Sequence, residues 1–315
     1  MQRERSATQR LGRKSLGRKS LGRKSLGRTC VLARARRWLS VASIALGVGL
    51  AGVATQQTSA TAQSMAGEAF RPWTGDLDGM LERGVVRILV PISPTLFYQS
   101  KGENYGAEAE IGNEFEKLLN QRHGSASKRI RVVYIPTARG RIMDNLRAGR
   151  GDIAAANLTI TPERAAMVDF ARPWATGIKE ILVTGPSAPK IESMADLAGR
   201  EIKVPKASSY YGHLLAVNED LVKSGKFPIK VSPLDDNPEN EDMLEQVSAG
   251  LLPWAIVDSH IAKLWSTLLP DLVLREDIVF HDGGEIAWAM RKDSPRLKAE
   301  LDQFVQTLRS SGFSK

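Results

Sequence analysis

Between Gly149 and Trp174 the chain reads GRGDIAAANLTITPERAAMVDFARPW. No other stretch limits the possible fold as strongly. Asp152 to Ala156 is a short, largely apolar run behind a Gly-Arg-Gly turn, which is how a buried strand reads. Asn157 to Thr161 is polar and leaves the strand end as a loop. Thr161 suits an N-cap, Pro162 suits the first helical position, and Glu163 and Arg164 follow in the first turn. A strand that ends in hydroxyls beside the free N–H groups of a helix N-terminus is a ready anion site. Arg164 adds a planar fork of donors that matches a carboxylate bidentately. Taken alone, the same residues also describe an ordinary helix cap beside a surface arginine.

The rest of the chain repeats this strand–helix alternation. Val85 to Val90 is the first strand, and Pro91 to Gly106 a loop holding Phe97, Tyr98 and Tyr105. Glu108 to Asn120 is an amphipathic helix with Ile111, Phe115, Leu118 and Leu119 on one stripe. Ile130 to Ile135 is a strand and Ala138 to Ala148 a helix. Such succession predicts a mostly parallel α/β sheet. Ile178 to Val183 is a strand leading out, and a Pro/Gly-rich break follows at Gly185-Pro186 and Pro189. Strands at Glu201–Val204, Ile229–Val231 and Trp254–Val257 then alternate with helices at Tyr210–Lys223, Glu239–Ala249 and Ser259–Thr267. Gly283 to Met290 is a returning strand, and Leu297 to Leu308 a closing helix.

These elements carry a resemblance. Gly149, Asp152, Thr159-Ile160-Thr161, Arg164, Asp169-Phe170-Ala171 and Pro173-Trp174 fit the run G-x-x-D…[ST]-x-T-x-x-R…D-F-[ST]-x-P-[YW], with Ala171 replacing the usual Ser/Thr. The pattern resembles the bacterial family 3 solute-binding proteins, periplasmic amino-acid receptors of ABC importers. Gly106-Ala107-Glu108-Ala109-Glu110-Ile111 is similar to the family's helix-opening turn, with Ala107 where a larger residue is usual. Met194 to Arg200 and Arg291 to Leu297 match two further family segments. The resemblance covers roughly residues 76 to 312.

The resemblance implies a periplasmic-binding-protein type II fold: two mostly parallel α/β lobes joined by a two-crossing hinge. Residues 76–180 and 285–315 would form lobe 1, and 181–284 lobe 2. It implies that Arg164, with Asn157, Thr159, Thr161 and nearby N–H groups, meets a ligand carboxylate. Ser208 and Ser209 stand where the family's strand end supplies a hydroxyl, although Ala207 replaces Gly. Asp258, followed by Ser259, stands where the family binds the α-ammonium, with Trp254 a departure in the strand lead-in. Ser209 and Asp258 also suit plain helix caps. Phe97, Tyr98 and Tyr210 are expected to pack against the ligand's side chain, with core or rim packing the alternative.

Charge and processing signals fill in the remainder. The net charge of +9 is misleading, since residues 1–40 hold 13 of the 44 Lys/Arg and one of the 35 Asp/Glu. The body is left slightly acidic, which gives no nucleic-acid footprint. Leu11 to Arg28 repeats LGRKS without an apolar face and reads as a disordered basic tail over 1–40. Arg34, Arg36 and Arg37, an apolar run from Val41 to Ala54, and Ala60-Thr61-Ala62 form a secretory signal over 41–62. The run is short of the about 20 residues of a membrane span. The expected location is the periplasm, with the membrane touched only through the signal segment if it stays uncleaved. The single cysteine, Cys30, lies in the tail, so the body is expected to lack disulfides and thiol-ligated metals. His123, His213, His260 and His281 lack metal-ligand spacing and read as solvated or capping residues; no cofactor is expected.

Within the family, Ser93 to Gly106 and Lys230 to Leu274, including Asp235-Asp236, are similar to the N-terminal module of lytic transglycosylase F. With the chain ending at Lys315, the lysozyme-like domain of those enzymes is expected to be absent, and the protein is expected not to be an enzyme. Three readings follow: capture of a small zwitterion for an ABC permease, a sensor of cell-wall peptide, or a cyclohexadienyl dehydratase using Glu163 or Glu110 as acid.

Overall fold

The apolar runs at Val85, Arg131 and Ile153 set the first half of the molecule by pairing in parallel, the arrangement that buries both faces of a sheet under helices. The computed structural model describes residues 71–311 apart from 235–237, together with Gly67. The basic tail, the signal segment, Cys30 and Asp235-Asp236 lie outside those residues.

In chain order the elements are α1 (Leu77–Arg83), β1 (Val85–Val90), β2 (Tyr98–Ser100), β3 (Glu103–Tyr105), α2 (Ala107–His123), β4 (Arg131–Pro136) and α3 (Arg139–Arg147). There follow β5 (Ile153–Thr159), α4 (Pro162–Met167), β6 (Asp169–Phe170) and β7 (Ala175–Thr184). A 3-10 turn at Met194–Leu197 leads to β8 (Glu201–Pro205), α5 (Ser209–Lys223), β9 (Lys230–Leu234), α6 (Asn240–Ser248) and β10 (Trp254–Asp258). The chain finishes with α7 (Ser259–Ser266), β11 (Val273–Met290) and α8 (Pro295–Ser311).

The main sheet runs β10-β7-β11-β5-β1-β4, with β6 against β11, while β8 and β9 pair in parallel by themselves. β7 and β11 are antiparallel partners that pass through both lobes. One lobe therefore holds β1, β4, β5 and β6, and the other holds β8, β9 and β10. Leu89, Phe115, Leu119, Ile153, Phe170, Met290 and Phe304 lie in the core of the first. Leu182, Ile202, Leu214, Val247, Trp254 and Val257 lie in the core of the second. In the crossing ribbon Gly177 and Gly283 have φ of 71° and 78°, the left-handed region that glycine enters at little cost. A Cβ at either would meet open space. Among the described residues no helix is long and apolar enough to cross a membrane.

Three sequence expectations shift. β5 runs on to Thr159 rather than ending at Ala156, because β11 pairs with Leu158 and Thr159. The segment read as a loop before Gly106 contains the β2–β3 hairpin. β11 starts at Val273 rather than Gly283, and its register against β7 slips repeatedly, so the polar residues at Glu276, Asp277 and Asp282 hide it from a strand pattern.

Asp152, the acid of the opening motif, turns out to be structural. Its fully buried carboxylate accepts from the Arg87 backbone N–H at 2.8 Å and from Arg87 Nη2 at 2.8 Å, and it pairs with Arg83. Arg87 also donates to the carbonyls of Arg71, Trp73 and Gly149 at 2.8–3.1 Å. This knot ties the N-terminal lead-in to the turn before β5. Removing one partner leaves a buried charge uncompensated. Asp152→Ala is therefore expected to cost about 3–5 kcal/mol in urea unfolding; a loss below about 1 kcal/mol would show that the knot matters little.

Candidate functional site

The carboxyl ends of the strands, where ligands settle in open α/β sheets, bring the site together. β5 ends in Asn157 and Thr159, and α4 follows with Thr161 as a true N-cap, its Oγ1 accepting from the Arg164 N–H at 3.3 Å. From the other lobe come the β8–α5 junction with Ser208 and Ser209, and the end of β10 with Asp258. Asn157, Thr159, Arg164, Ser208, Ser209, Tyr210 and Asp258 line one shared cavity, joined by Arg139 and Asn240. Its volume is about 20 Å³, room for roughly one water.

The cavity is small because the lobes touch directly. Asn157 Nδ2 donates to Asp258 Oδ2 at 2.9 Å. Ser209 Oγ lies 3.2 Å from Thr159 Oγ1 and donates to Glu180 at 2.7 Å. Arg164 donates to the carbonyl of Thr159 in its own lobe at 2.8 Å and to that of Ala207 across the crevice at 2.9 Å. Arg139 pairs with Glu239, Ser93 donates to Glu241 at 2.7 Å, and Trp265 Nε1 donates to Thr95 at 3.0 Å. At about 0.5–1.5 kcal/mol net for a neutral hydrogen bond and about 1.5–3 kcal/mol for one to a charged group, the closed form is held by several contacts acting together.

Asn157 has φ of 50°, uncommon for a residue with a side chain. It lies where the β5–β11 register breaks between Ala287 and Ala289, a bulge that re-aims the side chain towards Asp258. Glu108 braces the bulge: its buried carboxylate accepts from Trp288 Nε1 at 2.6 Å and faces the Asn157 N–H at 3.4 Å. Burial pushes Glu108 up to about 6.

Electrostatics single out Asp258. Burial, then the nearby Glu180 carboxylate, push its pKa up to about 7. Its Oδ1 and the Oδ1 of Asn157 are both buried without a hydrogen-bond partner. Two buried oxygens without partners in one crevice are costly unless a donor-rich group joins them. Arg164 is pushed down to about 10 by burial and then by repulsion from Arg139, and it stays charged at neutral pH.

Not every residue expected at the site is there. Phe97 is 1% exposed and stacks on Tyr134 within the lobe core. Tyr98 is 40% exposed and stacks on Tyr105 along the hairpin. Neither lines the cavity: Phe97, bridged to Ser93 just before β2, turns into the core, and Tyr98, the first residue of β2, faces solvent. Thr161 is held in its capping role. Glu163 and Glu110, weighed as acids for a dehydratase, are exposed and also lie outside the cavity. The histidines are less ordinary than expected. His213 Nδ1 sits 2.7 Å from Glu180 and its ring stacks on His281 at 3.9 Å. Both ring nitrogens of His260 are buried without partners, and burial pushes its pKa down to about 4.

Sequence reasoning missed Arg139, Glu239 and Glu180. Arg139 and Glu239 read as members of charged helix starts, and Glu180 sits in an apolar strand. Its one signal was a carboxylate inside a run that otherwise reads as core.

Residues 86–315 match the bacterial extracellular solute-binding proteins, family 3. A membrane-bound lytic murein transglycosylase F of Aeromonas hydrophila is 24% identical over 257 residues, which is 80% of this chain and 48% of that protein. The chain thus spans about half the length of this relative. The solute receptor for L-cysteine of Neisseria gonorrhoeae superposes with a TM-score of 0.62 at 23% identity, covering 76% of this chain and 90% of the receptor. An L-arginine-bound amino acid ABC transporter substrate-binding protein of Streptococcus pneumoniae gives 0.57 at 23% identity, covering 76% and 94%. At such identities the superpositions speak to the fold.

The raised Asp258 carboxyl has a measurable signature. It keeps its proton to about pH 7 when folded and loses it near the ordinary 3.8 when unfolded. The folded state then binds more protons than the unfolded one across this window, so stability falls as pH rises through it. Glu108 adds to this slope and His260 opposes it, but both remain in a variant at position 258. Asp258→Asn should therefore gain on the parent progressively from pH 4 to pH 7, by up to about 4 kcal/mol in urea unfolding. A difference independent of pH would mean that Asp258 titrates normally.

Proposed function

The chain belongs to the bacterial extracellular solute-binding proteins, family 3, and from that premise we propose that it is exported and captures a small zwitterion, an amino acid or short peptide, between its two lobes. One observation carries the reading. The Arg164 guanidinium from one lobe and the Asp258 carboxylate from the other line the same crevice, and the buried Oδ1 atoms of Asp258 and Asn157 lack a donor.

The chemistry follows from those groups. Arg164 exchanges its bonds to two carbonyls for a bidentate bond to the ligand carboxylate, helped by the Thr159 hydroxyl and the N-terminus of α4. The ligand ammonium supplies donors to Asp258 and Asn157. It also holds Asp258 ionised, which reverses the upward push of burial and of Glu180. Ser208 and Ser209 lie beside the carboxylate. A cavity of about 20 Å³ does not admit an amino acid, so entry requires the lobes to swing apart about the β7–β11 ribbon and reclose. Ligand occupancy thereby becomes a lobe rotation that a membrane partner can sense.

In the uptake reading that partner is an ABC permease, and the protein works outside the cytoplasmic membrane. A second reading, a sensor of cell-wall peptide, is favoured by the match to lytic transglycosylase F. The two differ in ligand: amino acids or short peptides for the first, wall stem peptides for the second.

A thermal-shift screen against the amino acids and wall peptides separates them. Ligand at about 100 times its dissociation constant adds about 2.7 kcal/mol of stability. Arg164→Gln and Asp258→Asn are each expected to weaken binding of the hit by about 10–100-fold in calorimetry, the worth of one charge-assisted hydrogen bond. Unchanged affinity in both variants would remove the crevice from the account of binding.

A further inference from the structure

We propose that Arg139 is a second carboxylate-binding group in the crevice, that the ligand therefore carries an acidic group besides its zwitterionic head, and that Glu239 occupies that group's place in the closed form. The inference rests on the zwitterion reading and sharpens it to a ligand of net charge about −1.

Arg139 opens α3, and its side chain lines the same cavity as Arg164, Asn157 and Asp258. Its fork is oriented from within its own lobe, since Nη1 donates to the Ala156 carbonyl at 2.7 Å. Its other edge faces the opposite lobe. There Nε lies 3.1 and 3.0 Å from the two carboxylate oxygens of Glu239, and Nη2 bonds the same group. This is a carboxylate held in the manner an acidic ligand would be held.

The two lobes make this pair different from a static ion pair. Glu239 caps α6, on the far side of the crevice. When the lobes part to admit a ligand, Glu239 leaves with its lobe while the Ala156 carbonyl stays with Arg139. The open crevice then presents a guanidinium already aimed, with its Nε–Nη2 edge free. Opening the crevice relieves the burial that holds the Glu239 carboxyl above its ordinary range, which offsets part of the lost attraction to Arg139.

Charge balance points the same way. Arg139 repels Arg164 within the one crevice, and a ligand with a single carboxylate answers only one of them. With Glu239 displaced, Arg139 needs another carboxylate, and a zwitterion bearing one further acidic group supplies it, so that neither buried guanidinium is left unpaired.

The test pairs each acid with its amide: L- and D-glutamate against L- and D-glutamine, and alanyl-glutamate against alanyl-glutamine, titrated calorimetrically into the protein. At least one acid should bind about tenfold or more tightly than its amide. Arg139→Gln should abolish that preference, bringing the ratio of acid to amide affinity to about one whatever the loss of the Arg139–Glu239 pair does to both affinities. Glu239→Gln keeps the shape of the cap and removes the internal competitor, so acid affinity should rise several-fold. Amides binding as well as acids, or a preference that survives Arg139→Gln, overturns the assignment of Arg139 and leaves the zwitterion reading standing. Failure of every probe to bind overturns both.

Discussion

The antiparallel pairing of β7 with β11 is the constraint on which the molecule depends. Each lobe has its own apolar clusters, and backbone hydrogen bonds along this ribbon tie both into one sheet. Because the ribbon is continuous, the lobes cannot drift apart. Because its register slips at several points, it need not be stiff. The crevice lies beside it, so residues far apart in sequence are brought face to face by a connection that still permits rotation.

What fills the crevice is charge more than volume. Two guanidinium groups, the raised carboxyl of Asp258 and the cross-lobe carboxylate of Glu239 meet over a cavity of about 20 Å³. In such a setting each ion is costly alone and stabilising when paired. The closed form solves this with internal substitutes: carbonyls for Arg164, Glu239 for Arg139, and the Asn157 amide for Asp258. Among the described residues that line the crevice, the Oδ1 atoms of Asn157 and Asp258 go unanswered. On the proposed reading, these internal contacts hold places that ligand groups would take on entry.

The strand–helix alternation made the fold class legible, because apolar runs of strand length between capped helices have few other solutions. Strand ends were less legible. β5 gained Leu158 and Thr159 from a partner more than a hundred residues away, a contact that no local pattern announces. The same holds for β11, whose polar residues belong to an irregular ribbon. At the site, Arg164 and Asp258 stood out because each follows a strand and begins a helix. Arg139 and Glu239 look like ordinary helix-start charges until the lobes are brought together. Phe97 and Tyr98 misled because two adjacent aromatics in a presumed loop carry no sign of which one turns inward.

Glu180 has a mechanical consequence. Its carboxylate, on β7, accepts from Ser209 and sits against His213, both on α5, while His281 of β11 stands opposite in register and stacks on His213. These contacts rivet α5 to the ribbon, so that stretch of β7 and β11 travels with the second lobe as one body. The pivot is thereby displaced towards Gly177 and Gly283, which lie next to the rivet and have open space around them. A fulcrum so near the crevice gives its side chains a short lever arm and the distal lobe surfaces a long one. Ångström-scale adjustments at the Asp258 carboxylate are in this way magnified at the outer rim.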